Sequence, residues 1–259
     1  MGPRLIGRED PDISEAVADI LTREGIALRL DAECIRLAPR DDGVAIAVNC
    51  AKGEPEIVGS HILLAVGRRP NTDDLGLERA GIATDARGYI TVDDHLRTNL
   101  PGIYALGDCN GRGAFTHTAY HDFEIVADNL LDGGSRSLAD CIPGYALYID
   151  PPLGRVGLTE AQVRASGRPA LIGTRPMTRV GRAVEKGETL GFMKVLADAG
   201  TGALLGAAIL GTSGDEAVHG ILDTMQAGAP AATLQRSVPI HPTVSELIPT
   251  VLGEMKPLV

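Results

Sequence analysis

Apolar residues recur at Ile13, Val17, Ile20 and Leu21, a helical spacing that predicts one amphipathic helix between Pro11 and Gly25. Asp10 stands at its N-cap position, Pro11 occupies the first helical position, where a missing N–H costs nothing, and Gly25 supplies the stop. The pattern then shortens. Ile26–Leu30, Cys34–Leu37 and Val44–Val48 read as strands, the last two joined by the turn Asp41-Asp42-Gly43. His61–Val66 is a nearly continuous apolar run, which predicts a strand buried on both faces, and it ends in Gly67-Arg68-Arg69-Pro70-Asn71. After a stretch rich in Asp, Gly and Arg, Tyr89–Val92 and Ile103–Leu106 read as short strands, the second stopping at Gly107-Asp108. A helix is expected from about Thr118 to Leu131.

From Ile142 the texture changes. Tyr145–Ile149, Ala170–Thr174, Gly191–Leu196 and Leu204–Leu210 are strand-like, with Ala199–Gly202 as a hairpin turn between the last two. Thr159 and Gln162 form a capping box that opens a short helix. Helices are expected over Asp215–Ala227 and Val244–Gly253. Strands followed by helices describe an α+β domain, set behind an α/β portion.

Composition narrows the function classes. The chain has 259 residues, long enough for one large domain or two smaller ones, and 44% are apolar, enough for a packed core. Only eight are aromatic (five Tyr, three Phe), so Ala, Val, Ile, Leu and Gly do the packing. A net charge of −10 argues against general binding to nucleic acid or to a membrane surface. There is no apolar run of transmembrane length and no signal-peptide pattern at the start. Cys34, Cys50, Cys109 and Cys141 are too widely spaced for a local redox pair or a metal framework, so a reduced, cytoplasmic protein is expected.

Three segments carry candidate chemistry. Asp108 follows a strand end, where open α/β sheets place ligands, and can accept from ribose or sugar-alcohol hydroxyls beside the permissive Gly107; a turn Asp would look the same. Gly67-Arg68-Arg69 offers guanidinium groups suited to phosphate, or an ordinary solvated basic turn. His241 is followed five residues on by Glu246, as in an imidazole oriented by a carboxylate for acid–base work; Thr243 and Glu246 also fit a plain capping box. His117 and His121 share a helix face, but no further ligand pattern completes a metal site. No Gly-x-Gly-x-x-Gly occurs; Gly111-Arg112-Gly113 begins like one, with Thr116 in the third place.

Taken in order, Leu64–Asn71, Gly102–Asp108, Gly154–Glu160 and His241–Glu246 resemble the C-terminal part of the flavin-dependent pyridine nucleotide–disulfide oxidoreductases, a family that includes dihydrolipoamide dehydrogenase, glutathione reductase and mercuric reductase. The resemblance implies the back half of an NAD(P)-binding domain over residues 1–72, the return segment of an FAD-binding domain over 73–140, and an interface domain over 141–259 that forms a homodimer. The first two would be an incomplete Rossmann-like portion. It further implies FAD and NAD(P) as cofactors of the complete enzyme. Asp108 and Gly107 would lie on the ribityl chain, Ala114, Phe115, Thr116 and His117 along the flavin ring, and Gly67 and Arg68 near the nicotinamide nucleotide; His241, held by Glu246, would be the acid–base.

The departures are equally specific. The pyrophosphate glycines and the redox Cys-x-x-x-x-Cys of the family's first half are absent, which implies a missing N-terminal segment and an isolated chain that retains no cofactor and is inactive. Arg4 and Arg8 are candidates for a 2′-phosphate. The last residues, Gly253–Val259, lack the paired cysteines usual in mercuric reductases. Two alternatives stay open: a metal-ion reductase of the same family, and a non-catalytic dimerisation or binding module that reuses the fold.

Overall fold

The computed structural model describes residues 2–49 and 54–258; Cys50 lies outside them. The chain divides into two compact units, one formed by Met1–Ile62 with Ile142–Val259, the other by Leu63–Cys141.

In the first unit, helix α1 spans Pro11–Arg23 as its periodicity predicts. Gly25 takes a left-handed φ of +85° and, with Ile26, returns its N–H to the last turn of the helix. Asp10 does occupy the N-cap position of α1, yet its side chain makes no bond to this helix. Strands β1 (Glu33–Arg40), β2 (Gly43–Asn49) and β3 (Glu56–Gly59) form an antiparallel sheet in that order.

Several expected strands do not form. Ile26–Leu30 and His61–Val66 are irregular, and Leu63 and Val66 are each 90% exposed, the opposite of a strand buried on both faces. A strand exists only where a neighbour pairs its N–H and C=O groups, and among the described residues none lies beside either segment. In the second unit, Tyr89–Val92 and Ile103–Leu106 contribute only single bridges, Thr84 to Ile90 and Arg97 to Tyr104. That unit holds the short helix α2 (Leu77–Ala80) and helix α3 (Thr116–Ala127), which passes into a wider turn at Asp128–Asp132 rather than continuing as one regular helix.

The remainder of the first unit is built on β4 (Gly144–Leu147), β5 (Leu153–Gly157), β6 (Ala170–Pro176), β7 (Phe192–Asp198), β8 (Leu204–Leu210) and β9 (Lys256–Pro257). They form an antiparallel sheet of order β4-β5-β8-β7-β6-β9. The expected hairpin joins β7 and β8, with Asp198 accepting from the backbone of Gly200 and Thr201. The helices are α4 (Glu160–Ala165), α5 (Gly181–Lys186), α6 (Gly214–Ala217), α7 (His219–Gln226), α8 (Ala231–Gln235) and α9 (Ile248–Gly253). The capping box of α4 is present: Gln162 N–H bonds the Thr159 hydroxyl at 3.2 Å, and Thr159 N–H bonds Gln162 Oε1 at 2.8 Å. The helix expected over Asp215–Ala227 is broken at Val218, and the one over Val244–Gly253 opens as a tighter turn at Ser245–Leu247.

Alternation along the strands divides the core. Val156, Met193, Val195, Ala207 and Ile209 face one way and pack with Ile221, Ile248 and Val251. Leu153, Ala208 and Leu210 face the other way, where Ile13, Val17 and Ile20 of α1 cover them. Arg155 and Lys194 point to that same face because they alternate with Val156 and with Met193 and Val195.

Candidate functional site

The second unit gathers the residues expected at a cofactor. Arg68 Nη1 donates to Asp108 Oδ2 at 3.0 Å, so two residues forty positions apart meet. Both side chains are largely exposed, and such a pair contributes less than about 1 kcal/mol, too little to hold the geometry. The holding is done beneath it. Gly107–Asn110 form a tight helical turn, and Gly107 has a φ of +74° that favours glycine. A Cβ there would also stand 3.4 Å from the Ala119 methyl on α3. Gly107 N–H and the Asn110 amide both donate to the buried carboxylate of Asp122, at 2.8 and 2.7 Å.

The start of α3 presents the other expected residues. Phe115 N–H bonds the Thr118 hydroxyl, which returns a bond to Phe115 O at 2.8 Å. Phe115 and His117 stack with ring centres 5.2 Å apart, while Ala114, Thr116 and His117 are exposed. Gly67 lies in the exposed irregular segment before Arg68. A cleft of about 520 Å³ in the same unit is lined by Thr72, Asp73, Leu77, Arg79 and Ile82, and none of the expected site residues lines it.

His241 and Glu246 meet in the first unit. His241 Nδ1 is 2.7 Å from Glu246 Oε2, with the imidazole 79% exposed and the carboxylate side chain only 15%. Glu246 N–H bonds the Thr243 hydroxyl at 3.2 Å, so the backbone is capped while the carboxylate turns to the ring. Val244 and Ile248 on either side are buried in the core, which fixes where Glu246 stands. With Nδ1 committed to the carboxylate, Nε2 is the ring atom left facing solvent.

Sequence reasoning missed a buried ionic cluster on the α1 face of the large sheet. Glu9 accepts from Arg155 Nε at 3.1 Å, from Arg155 Nη2, and from the Tyr145 hydroxyl. Lys194, fully buried, donates to Asp12 at 2.7 Å and lies 3.1 Å from both Asp10 and Glu160. Asp10 also accepts from the N–H groups of Glu160 and Ala161, capping α4 instead of its own helix. Burial alone pushes the Asp10 carboxyl up, but those N–H groups and Lys194 outweigh it and hold it below 3.8. Burial likewise pushes Lys194 down, and Asp12 and Asp10 together carry it above 10.5. Burial and the hydrogen bond to Glu9 push the Tyr145 phenol well up. The sequence signal was a charge inside an apolar strand, at Leu153-Gly-Arg-Val156 and Phe192-Met-Lys-Val195. Arg8 stacks on the Tyr145 ring at 4.9 Å. Among the described residues, no group of three His, Cys, Asp or Glu side chains is placed to hold a metal ion, and no helix is long and apolar enough to cross a membrane.

Comparison with known proteins gives a consistent result. Residues 1–122 match the family described as pyridine nucleotide-disulphide oxidoreductase, and residues 143–252 match its dimerisation domain. The chain is 36% identical to the probable pyridine nucleotide-disulfide oxidoreductase RclA of Escherichia coli, covering 93% of this chain and 54% of that protein. It is 34% identical to a mercuric reductase of Streptomyces lividans, covering 95% and 52%. The solved structure of the E. coli HOCl-induced flavoprotein disulfide reductase RclA superposes with a TM-score of 0.89 at 33% identity, over 98% of this chain and 57% of that one. The chain therefore spans about half the length of the relatives it matches.

Proposed function

The chain belongs to the pyridine nucleotide-disulphide oxidoreductases, a family of FAD-dependent enzymes, and on that premise we propose that it forms the C-terminal part of an NAD(P)H- and FAD-dependent disulfide reductase. The observation that carries this is the His241–Glu246 pair, an exposed imidazole oriented by a largely buried carboxylate. When a disulfide accepts two electrons, its sulfurs leave as thiolates that need protons. His241 would deliver one from Nε2 while Glu246 keeps the ring in place.

The cofactor residues fit FAD by the chemistry of their donor set. Asp108 offers a half-exposed carboxylate to ribityl hydroxyls, beside a glycine that allows close approach, and the first turn of α3 presents backbone at Ala114–His117. FAD, when bound, supplies the two-electron relay from NAD(P)H. Gly67 and Arg68 would lie toward the nicotinamide nucleotide. The pyrophosphate glycines and reactive cysteines would come from the half of the relatives that this chain does not match, and we place them outside these 259 residues. Without that half the chain would hold no flavin and turn over no substrate. Residues 141–259 would pair two copies, as the dimerisation-domain match suggests.

The test joins the flavin- and cysteine-bearing half of the E. coli relative to this chain and compares His241 with His241→Gln. Turnover of a small aromatic disulfide should fall by roughly 10²–10⁴-fold, while stopped-flow reduction of the flavin by NAD(P)H stays unchanged. Loss of flavin reduction with disulfide turnover intact would refute the assignment. The metal-ion alternative draws on the mercuric reductase relative; NAD(P)H consumption driven by Hg²⁺ with no disulfide turnover would favour it.

A further inference from the structure

Asp122 is an anomaly in α3. It takes an inward position with Ile125 on the helix, where an apolar side chain would pack, and it is only 4% exposed. None of the ion pairs among the described residues involves it. A buried carboxylate without a cation is held by N–H donors or not at all. Its donors both come from the turn that carries Asp108: Gly107 N–H at 2.8 Å and Asn110 Nδ2 at 2.7 Å. Asn110, itself buried, spans the turn from both sides, since Nδ2 also reaches Ala105 O at 3.1 Å and Oδ1 accepts from Arg112 N–H at 2.8 Å. Two of the contacts that hold the turn, one from its first residue and one from its last, therefore converge on a single carboxylate carried by α3.

We propose that Asp122 is a positioning residue for the Asp108 turn: by holding Gly107 N–H and the Asn110 amide, its carboxyl group fixes the direction in which Asp108 is presented to the ligand, relative to the start of α3. The identity of that ligand as FAD rests on the reading above; the clamp does not. A second consequence comes with the charge. The Cys109 and Cys141 thiols are both pushed up, chiefly by burial, with the Asp122 carboxylate adding to each and Asp108 adding to Cys109. The carboxylate that aims the turn thus adds to the effect of burial, and both favour the protonated, weakly nucleophilic thiol.

The experiment uses the 259-residue chain with Asp122→Ala and the isosteric Asp122→Asn. Amide hydrogen exchange read by NMR should accelerate at Gly107 by roughly 10- to 100-fold in Asp122→Ala, the range for a hydrogen bond to a charged acceptor, while amides of β8 in the other unit keep their protection. In Asp122→Asn the pH midpoint for iodoacetamide alkylation of Cys109 and Cys141, resolved by peptide mass spectrometry, should move down, because a purely structural role would leave it in place. Unchanged exchange at Gly107 in both single variants would overturn the clamp, and an alkylation midpoint that stays fixed in Asp122→Asn would overturn the charge effect on the two thiols. Neither readout contains flavin, so a chain that never uses FAD would refute only the reading it is attached to.

Discussion

The Glu9–Arg155 pair gives the sharpest test of how the large sheet and α1 are joined. Both side chains are at most 3% exposed, and the guanidinium meets both carboxylate oxygens. At about 3 Å and an effective dielectric near 20, the gross attraction is roughly 5 kcal/mol, set against a desolvation cost of similar size. The pair as a whole is therefore close to neutral, and the penalty appears when one member is removed. Arg155→Met leaves Glu9 with only the Tyr145 hydroxyl. Glu9→Met leaves Arg155 with Asp10 at 3.5 Å and an Nη1 that already has no partner. Each should cost about 3–5 kcal/mol. The double Met variant, which fills similar volume without charge, should cost about 0–2 kcal/mol, with roughly 1 kcal/mol of that from the lost Tyr145–Glu9 hydrogen bond. At roughly 2–4 °C per kcal/mol for a chain of this size, either single variant should lower the melting temperature by about 6–20 °C and the double by less than about 8 °C. Calorimetric melts of the four proteins give the coupling directly. Single-variant losses that simply add in the double, with coupling below about 0.5 kcal/mol, would refute the reasoning.

The neighbouring cluster sets a pH profile. Asp10 is held below 3.8 and so stabilises above that value, with the contribution lost as pH falls through its folded value; Lys194 is held above 10.5 and stabilises below that value, with the contribution lost as pH rises further. Melting temperature should therefore be level between roughly pH 5 and 10 as far as this cluster contributes, and Lys194→Met should shrink the alkaline fall to the part that the raised Tyr145 phenol contributes; an unchanged alkaline arm in that variant contradicts the assignment. Self-association is expected through residues 141–259, where Val238 and Ile240 stand 95% and 78% exposed beside His241. Light scattering should give twice the chain mass at micromolar concentration, and Val238→Asp with Ile240→Asp should halve it; a monomeric parent chain would count against the dimer.

The sequence made legible whatever is encoded locally. Helix α1, the α4 capping box and the β7–β8 hairpin follow from spacing and turn chemistry, and each is present near its expected bounds. The His241–Glu246 pair was visible as two competing uses of one carboxylate, and the structure resolves them by giving Thr243 the backbone and His241 the side chain. What depended on partners was misread. The apolar run at His61–Val66 describes a strand only if flanking strands exist, and among the described residues they do not. Asp10 looked like a cap for the helix it begins, but a cap is chosen by geometry, and the nearer open N–H groups belong to α4, 150 residues away. The ionic cluster escaped notice for the same reason: Glu9 and Arg155, or Asp12 and Lys194, are ordinary surface residues until topology puts them opposite one another.

That topology has a consequence for synthesis. Asp12 meets its cation 182 residues later, and the apolar stripe of α1 is covered by strands that end at Leu210. A ribosome adding about 5–20 residues per second needs roughly 10–40 s to make that length. Through that interval α1 leaves the tunnel with an acidic mouth and a bare apolar flank, and neither has anything native to close on. Helix α1 is thus made long before the strands that cover it, and an emerging chain must be kept from binding something else in the meantime.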